Sequence, residues 1–192
     1  MAGRPRTFDR DAALDLALTA FWERGYDRVT IAELAHAIGI GPPSLYAAFG
    51  DKKCLFAEAS ARYEERLDAS LARDLAAPRA RDAVAAVLFS AAAAFAAAGM
   101  PPGGLVMSEP LLAERRAQTR QLMLERLERA AADGELVGTD VPVLADFVDT
   151  VLAGMAARAR DGAGRHQLEN AVRGALLTVA AMTVAGHDGH AR

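Results

Sequence analysis

The stretch between Thr30 and Gly39 constrains the fold of this chain more than any other. Thr30 is followed three residues later by Glu33, the capping-box spacing in which each side chain bonds the other residue's backbone amide at the start of a helix. Leu34 then opens a set of apolar residues at helical spacing, and Gly39 can adopt the left-handed conformation that ends a helix. The sequence therefore predicts a short helix from Ile31 that stops in a sharp turn.

A second short helix is predicted directly after this turn. Pro42 and Pro43 suit a first helical turn, where amide hydrogens have no helical partner, and Leu45 and Phe49 recur four residues apart as a buried side. Two short helices joined by a glycine turn form a helix-turn-helix, in which the second helix enters the DNA major groove. A purely structural helical hairpin has the same core pattern, so the motif alone leaves both interpretations open.

The flanking residues favour the DNA-binding interpretation. The chain reads F-W-E-R-G-Y from Phe21 to Tyr26, T-I-A-E-L-A from Thr30 and S-L-Y-A-A-F from Ser44, and it has Lys52 at the start of the next predicted helix. In these motifs, which cover roughly the first sixty residues, the chain resembles the TetR/AcrR family of transcriptional regulators. The resemblance implies a homodimeric regulator, in particular a repressor, that binds a palindromic operator in double-stranded DNA and responds to a small apolar or amphipathic effector.

The predicted recognition helix exposes no Arg, Asn or Gln, so it lacks a bidentate reader of guanine or adenine. We expect specificity from thymine methyl contacts, from DNA shape and from an N-terminal arginine arm in the minor groove, although that arm is equally consistent with a solvated terminus. The candidate DNA-binding residues are Arg4, Arg6, Thr30, Pro43, Ser44, Tyr46, Ala47 and Lys52.

The resemblance assigns roles to some of these candidates. Lys52 stands where the family has a phosphate-contacting lysine, and the hydroxyls of Tyr46 and Thr30 suit phosphate oxygens. Ala47 and Ala48 depart from the family pattern, which often has an aromatic residue and a histidine there. The contacts of those larger side chains are therefore not expected in this chain.

Composition limits the class of protein. Of the 192 residues 52% are apolar, alanine dominates and only 6% are aromatic, which predicts an all-α fold. The net charge of −3 argues against a nonspecific DNA-coating protein but leaves specific recognition open, because recognition depends on where the charges lie. The run from Ala83 to Ala98 is too weakly hydrophobic for a membrane span, and no apolar signal segment follows the start. A cytoplasmic location without a membrane partner is expected.

Other kinds of site have little support. Cys54 is the single cysteine, so no intramolecular disulfide can form, and its position beside lysines in a first helical turn makes a thiol sensor one interpretation and a buried, inert residue the other. His187 and His190 lie in a terminal stretch without a nearby cysteine, so no metal site is predicted. The chain has no phosphate loop, nucleophile elbow or carboxylate pair, so no catalytic residue and no cofactor are predicted.

The chain is predicted to divide into a three-helix DNA-binding head, residues 1–52, and a helical ligand-binding and dimerisation domain, residues 53–192. About nine helices are expected in all. Beyond the two helices of the motif, a first helix is predicted to follow an N-cap at Asp9 and to run to Arg24. The other predicted helices run from Lys52 to Asp74, Arg79 to Ala98, Gly104 to Leu112, Glu114 to Ala132, Pro142 to Arg160 and Gln167 to Ala185.

The last two predicted helices are apolar around much of their circumference and contain small residues that permit close approach. A four-helix bundle formed with the same pair of helices from a second chain would bury them, whereas packing within one chain is the alternative. The predicted dimer interface comprises Phe147, Val151, Gly154, Met155, Val172, Ala175, Val179 and Met182.

An apolar effector pocket is predicted between the head and this bundle. Methionine and alanine can also serve as ordinary packing residues, so a filled core is the alternative. The candidate ligand-binding residues are Tyr63, Leu67, Phe89, Phe95, Met107, Met123 and Leu127. A second hypothesis for the whole chain is a helical small-molecule-binding or scaffold protein with a vestigial head.

Overall fold

The computed structural model of the chain describes residues 8–184, and within them every regular element is helical, as the composition predicted. These elements are one 3-10 helix, Pro110–Leu112, and the α-helices. The α-helices are α1 Arg10–Arg24, α2 Ile31–Ile38, α3 Pro42–Phe49, α4 Lys52–Leu75, α5 Ala80–Phe95, α6 Leu105–Ser108, α7 Ala113–Ala132, α8 Val141–Arg160 and α9 Arg165–Val184.

The chain packs as two compact units, Met1–Leu67 and Asp68–Arg192, and the division falls within α4. The sequence prediction placed the boundary after residue 52, at the start of that helix. A packing division does not test where the DNA-binding function ends, so the predicted functional boundary stays a prediction.

Local signals at the helix ends explain the first three helices. Asp9 caps α1, because its carboxylate accepts hydrogen bonds from the amides of Asp11 at 2.9 Å and Ala12 at 3.1 Å. Gly39 ends α2 in the left-handed region with φ of 79°, and its amide donates to the carbonyls of the last helical turn. The amide of Ile40 donates to the Ala35 carbonyl at 3.0 Å, which completes a Schellman motif.

Aromatic side chains form a cluster in the core of the first unit. The Phe21 ring lies 5.2 Å from the Phe56 ring in an edge-on arrangement, and Tyr26 lies 5.2 Å from Phe56. Trp22 packs edge-on against Tyr63 at 5.0 Å. Edge-to-face geometry is the favoured contact between aromatic rings, so this cluster fixes α1 against the first half of α4.

The core of the second unit is built from aliphatic side chains. Helix α5 packs against both α8 and α9, and α7 packs against α8. Leu88, Leu127, Leu144 and Leu168 are fully buried there, one from each of these four helices. The many alanines let the helices approach closely, so the core is dense and largely aliphatic, with Phe95 as a buried aromatic residue.

Two predicted helices differ from the observed ones in this unit. The helix predicted to reach Ala98 ends at Phe95, and the segment predicted as one helix from Gly104 to Leu112 is split into α6 and the 3-10 helix. The second difference follows from Pro110, which has no amide hydrogen to continue α6, while Glu109 caps the new helix by accepting from the Leu111 amide at 3.2 Å.

Candidate nucleic-acid interface

Helix α3 presents one buried and one exposed side. Leu45 and Phe49 are buried, as predicted, and hold the helix to the first unit. Pro43, Ser44 and Ala47 are exposed, and they lie on the side of α3 opposite to the buried pair. These three residues therefore offer small methyl, methylene and hydroxyl groups to a partner.

Tyr46 is the one large side chain on the exposed part of α3. Its exposed fraction is 52%, although aromatic residues are usually more buried in a folded unit. The phenol is thus free to contact a partner through both its ring and its hydroxyl.

Thr30 and Glu33 form the capping box that the sequence predicted. Its hydroxyl accepts from the Glu33 amide at 3.3 Å and donates to the Glu33 carboxylate at 2.7 Å, while its own amide donates to that carboxylate at 2.7 Å. Arg24 also donates to Glu33 at 2.6 Å. These bonds from Thr30 and Arg24 lower the pKa of Glu33 to about 2, so the carboxylate is ionised at neutral pH.

Lys52 opens α4, and its ammonium lies over the ring of Tyr26, 4.2 Å from the centroid. Burial of the Tyr26 ring, followed by the charges of Asp51 and Asp27, raises the pKa of the phenol above its usual value of 10. The phenol therefore stays neutral, and the cation–π contact holds the ammonium at the N-terminus of α4 without neutralising it. Lys53 is exposed beside it.

Asp51 caps α4 and fixes this helix start. Its carboxylate accepts from the amide of Cys54 at 2.7 Å, and this bond lowers the pKa of Asp51. Cys54 is exposed, so the expectation of a buried cysteine was wrong: the residue lies in the first turn of α4, on the side away from the core. Its redox role stays a prediction.

Arg10 forms a network that the sequence analysis did not identify. Its guanidinium bonds both carboxylate oxygens of Glu58 on α4, donates to the Ala48 carbonyl on α3 at 3.2 Å and lies 4.6 Å from the centroid of the Phe49 ring. The available signal was an arginine at the first position of a helix, but nothing in the sequence indicates which residues it contacts.

Some residues weighed as candidate sites lie outside the described residues. Arg4 and Arg6 precede residue 8, and His187 and His190 follow residue 184, so the arginine arm is not placed by the structure. Between residues 8 and 184, no group of three or more His, Cys, Asp or Glu side chains could hold a metal ion.

In the second unit, a groove of about 400 Å³ runs between α8 and α9. It is lined by five of the predicted dimer residues: Phe147, Val151, Gly154, Met155 and Ala175. Gly174 lines it as well, and a Cβ atom added at Gly154 or Gly174 would meet nothing within 4 Å. Leu177 is 75% exposed on α9.

The remaining predicted dimer residues lie elsewhere. Val172 and Val179 have no exposed surface in the single chain, since they pack in the core of the second unit. Met182 is partly buried against the same core. The outward apolar residues of α9 were thus harder to identify from the sequence than those of α8, because α9 has apolar or small residues on nearly every side.

The predicted ligand-binding residues occupy different positions among the described residues. Phe95 and Leu127 are core residues, Phe89 is exposed on α5 and Met107 is partly buried. Tyr63 packs on Trp22 in the first unit, and Leu67 ends that unit in a half-buried position.

Met123 does line a narrow cavity in the second unit, with a volume of about 10 Å³. This volume is about that of one water-sized site. The lining residues are Leu71 of α4, Val87 of α5, Thr119, Arg120 and Met123 of α7, and Ala145, Val148, Asp149 and Leu152 of α8.

Two short helices joined by a Schellman turn, with the second helix exposing small side chains and a lysine at the next helix start, define a helix-turn-helix DNA-binding regulator. Comparison with known proteins gives the family. The family model of bacterial regulatory proteins of the tetR family matches residues 13–59.

Similarity also extends along most of the chain. The chain is 33% identical over 181 residues to the HTH-type transcriptional repressor ComR of Escherichia coli (strain K12). It is 32% identical over 172 residues to the HTH-type transcriptional repressor BdcR of the same organism. Each comparison covers 86% of this chain and 86% of the relative. Among solved structures, a cysteine-substituted form of the TetR family regulator CifR, complexed with 26-bp double-strand operator DNA, matches with a TM-score of 0.84 and 41% identity over 91% of this chain and 98% of that chain.

The chain therefore belongs to the TetR family of bacterial regulatory proteins. It is a DNA-binding transcriptional repressor, and this class is not enzymatic. The similarity reaches well beyond the first sixty residues on which the sequence analysis based the resemblance. Within the described residues, no helix is long and apolar enough to cross a membrane.

Proposed function

We propose that this protein represses transcription as a homodimer that binds a palindromic operator through α3 of each chain, and that a small apolar or amphipathic effector bound by the C-terminal domain releases it. The operator complex of the similar regulator CifR supports the DNA contact. The observation that carries the proposal is the exposed face of α3, where Pro43, Ser44, Tyr46 and Ala47 are available together.

The chemistry of this face defines what it can read. A serine hydroxyl can donate to or accept from base edges, while proline and alanine can contact thymine methyl groups. Tyr46 and Lys52 suit phosphate oxygens, which position the protein without carrying sequence information. Operator selection should therefore depend on A·T pairs and DNA shape more than on hydrogen bonds to guanine, and Arg4 and Arg6 are proposed to add minor-groove contacts.

The open groove between α8 and α9 supports a homodimer. Glycine at positions 154 and 174 leaves empty space along an apolar groove, and Leu177 extends the apolar surface next to it on α9. A second copy of this helix pair would fill the groove and cover that surface. A dimer also supplies two recognition helices, which a palindromic site requires.

The cavity lined by Leu71 and Met123 is the proposed entry point for the effector. Its small volume means that a ligand of several carbon atoms must separate α7 and α8 from the end of α4. An effector acts only through a difference in affinity between the DNA-binding and released states. Opening this cavity in the released state would provide that difference.

Selection of a site from a library of randomised duplexes by the full-length wild-type chain tests the proposal. We expect an enriched palindrome with A·T-rich half-sites, and a duplex with one half-site scrambled should bind at least tenfold more weakly, because the second contact is lost. Enrichment of a single unrepeated half-site would contradict the dimer. Failure to enrich any duplex would contradict operator recognition by α3.

A further inference from the structure

We propose that Arg10 is a positioning residue for operator recognition: it sets the orientation of α3 relative to α4 and does so without contacting DNA. This inference rests on the proposed operator binding by α3. It concerns the C-terminal end of the recognition helix, whereas the Schellman turn at Gly39 holds the opposite end.

The C-terminal end of α3 has no stabilising charge of its own. The helix has no basic residue in its last turn, and its final residues are followed at once by Gly50. A helix C-terminus carries partial negative charge and unpaired carbonyl groups. Arg10 supplies a hydrogen-bond donor and a positive charge at this helix end. Its guanidinium donates to the Ala48 carbonyl at 3.2 Å.

The same guanidinium also contacts the last side chain of α3. It lies over the Phe49 ring at 4.6 Å from the centroid, and Phe49 is itself buried and packed against Phe8 at 6.0 Å. The backbone carbonyl and the terminal ring of α3 are therefore held by one side chain. A rotation of α3 about its own axis would break at least one of these two contacts.

The remaining donors of Arg10 bind α4. Both oxygens of the Glu58 carboxylate accept from the guanidinium, and a paired contact of this kind fixes orientation as well as distance. Since Lys52 lies six residues earlier on the same helix, the contact relates the phosphate-binding start of α4 to the base-reading face of α3. Arg10 thus joins α1, α3 and α4 through one planar group.

This network contributes little to overall stability. The Arg10 and Glu58 side chains are 48% and 37% exposed, and exposed ion pairs contribute little to the free energy of unfolding because solvent screens them. The network instead fixes the position of α3. This matters because hydrogen-bond and methyl contacts with base edges are lost when a helix is displaced by about 1 Å. A defect in this network should therefore reduce specificity before it reduces folding.

Arg62 provides a matched control. It pairs with Asp11 at 2.6 Å and lies 3.8 Å from Asp15, so it also joins α4 to α1 through exposed charges. None of these partners belongs to α3. Substitution of Arg62 therefore removes a comparable ion pair and the same positive charge without touching the recognition helix.

The test compares full-length wild type with Arg10→Gln, Arg10→Lys, Glu58→Gln, the double variant and Arg62→Gln. For each, affinity is measured over a range of salt concentrations on the duplex that wild type enriches and on a shuffled duplex. We expect the ratio of specific to nonspecific affinity to fall about tenfold for Arg10→Gln and for Glu58→Gln, with no further loss in the double variant. Lysine at position 10 should restore only part of the ratio, since it cannot make the paired contact. Arg62→Gln should leave the ratio unchanged.

The sign of the Glu58 effect separates positioning from direct phosphate contact. If Arg10 instead bound phosphate, Arg10→Gln would lower the salt slope by about one and weaken both duplexes alike, whereas Glu58→Gln would strengthen binding by removing a negative charge. That result, or an unchanged ratio in folded Arg10→Gln, would overturn the inference. Failure of wild type to enrich any duplex would instead refute the proposed operator recognition, so the two failures are distinguishable.

Discussion

The ammonium of Lys52 lies 4.2 Å from the centroid of the Tyr26 ring, across the junction between α1 and α4. Tyr26 belongs to the turn that follows α1, and Lys52 is the first residue of α4. The contact orders a flexible side chain at a helix N-terminus, where the positive end of the helix dipole also favours an anion. Because the Asp51 carboxylate already accepts from the Cys54 amide of this turn, we expect the Lys52 ammonium to be the group that binds a phosphate.

Replacement of Lys52 by glutamine should weaken binding to all duplexes about equally. A lysine that neutralises one phosphate contributes about one unit to the slope of log affinity against log salt, so this slope should become shallower by about one. Fluorescence anisotropy over a salt series measures both quantities. The neighbouring Lys53→Gln is the control, because Lys53 is exposed, whereas the Lys52 ammonium lies over the Tyr26 ring. Equal slope changes in the two variants would show that the contact with the Tyr26 ring does not make Lys52 the preferred phosphate ligand.

The helices that carry short-range signals could be predicted closely from the sequence. Helix α3 begins at Pro42 and ends at Phe49 as predicted, since a proline pair starts it and Gly50 stops it. The predicted end of α5 lies three residues beyond the observed end at Phe95. Alanine at positions 96–98 favours a helix. The helix nevertheless ends at Phe95, because the Phe95 carbonyl accepts from the amide of Gly103 in the following loop, and helix propensity does not predict this contact.

Contacts between distant parts of the chain could not be predicted from spacing. Arg10 and Glu58 are 48 residues apart, and nothing in either segment identifies the other. For a related reason, the sequence did not show which residues of α9 face the core. Val172 and Val179 are core residues while Leu177 is exposed, but a helix with apolar residues on every side has no sequence pattern that distinguishes inward from outward positions.

Gly39 should tolerate asparagine better than alanine. Its φ of 79° lies in the left-handed region, and a side chain there would meet nothing within 4 Å, so the penalty is conformational rather than steric. We expect Gly39→Ala to destabilise the chain by about 1–2 kcal/mol and Gly39→Asn by less, because asparagine adopts this conformation more readily. Urea unfolding followed by circular dichroism measures both. Equal loss in the two variants would indicate a steric cause.

Glu33 should make the stability of the first unit sensitive to acid. Bonds from Thr30 and Arg24 hold its pKa in the folded chain at about 2, against an ordinary value of 4.5. A depressed pKa contributes stability that is present above pH 4.5 and is lost as the pH falls toward 2. We expect the urea midpoint of Glu33→Gln to be lower than that of wild type at pH 7, with the difference shrinking below pH 4.5. A constant difference across this range would contradict the assignment.

Thymine methyl groups should contribute to recognition by α3. Replacement of thymine by uracil in the half-sites of the enriched duplex removes a methyl group and leaves base pairing intact. Because Pro43 and Ala47 are exposed on α3, which has no guanine-reading side chain, we expect affinity to fall several-fold at one or two thymine positions. Ala47→Gly should reduce the uracil effect at the position that Ala47 contacts. Discrimination concentrated at G·C pairs, with no uracil effect, would contradict methyl recognition.

Filling the groove between α8 and α9 should separate the proposed dimer without unfolding the chain. Leucine at position 154 or 174 would enter space that is empty within one chain, and leucine favours helix more than glycine does. The same side chain would block the close approach of a second copy, because an interface packed at interior density has no room for an added isobutyl group.

We therefore expect Gly154→Leu and Gly174→Leu to keep the helical content of wild type and to raise the dimer dissociation constant at least tenfold in sedimentation equilibrium. Operator affinity should fall as the dimer dissociates, since the two recognition helices would no longer be linked. Gly164→Leu is the control: a Cβ atom added there also meets nothing within 4 Å, but the residue does not line the groove. If Gly154→Leu and Gly174→Leu remained dimeric at the same concentration as wild type, the two copies would have to associate through a different surface, and the open groove would need another occupant.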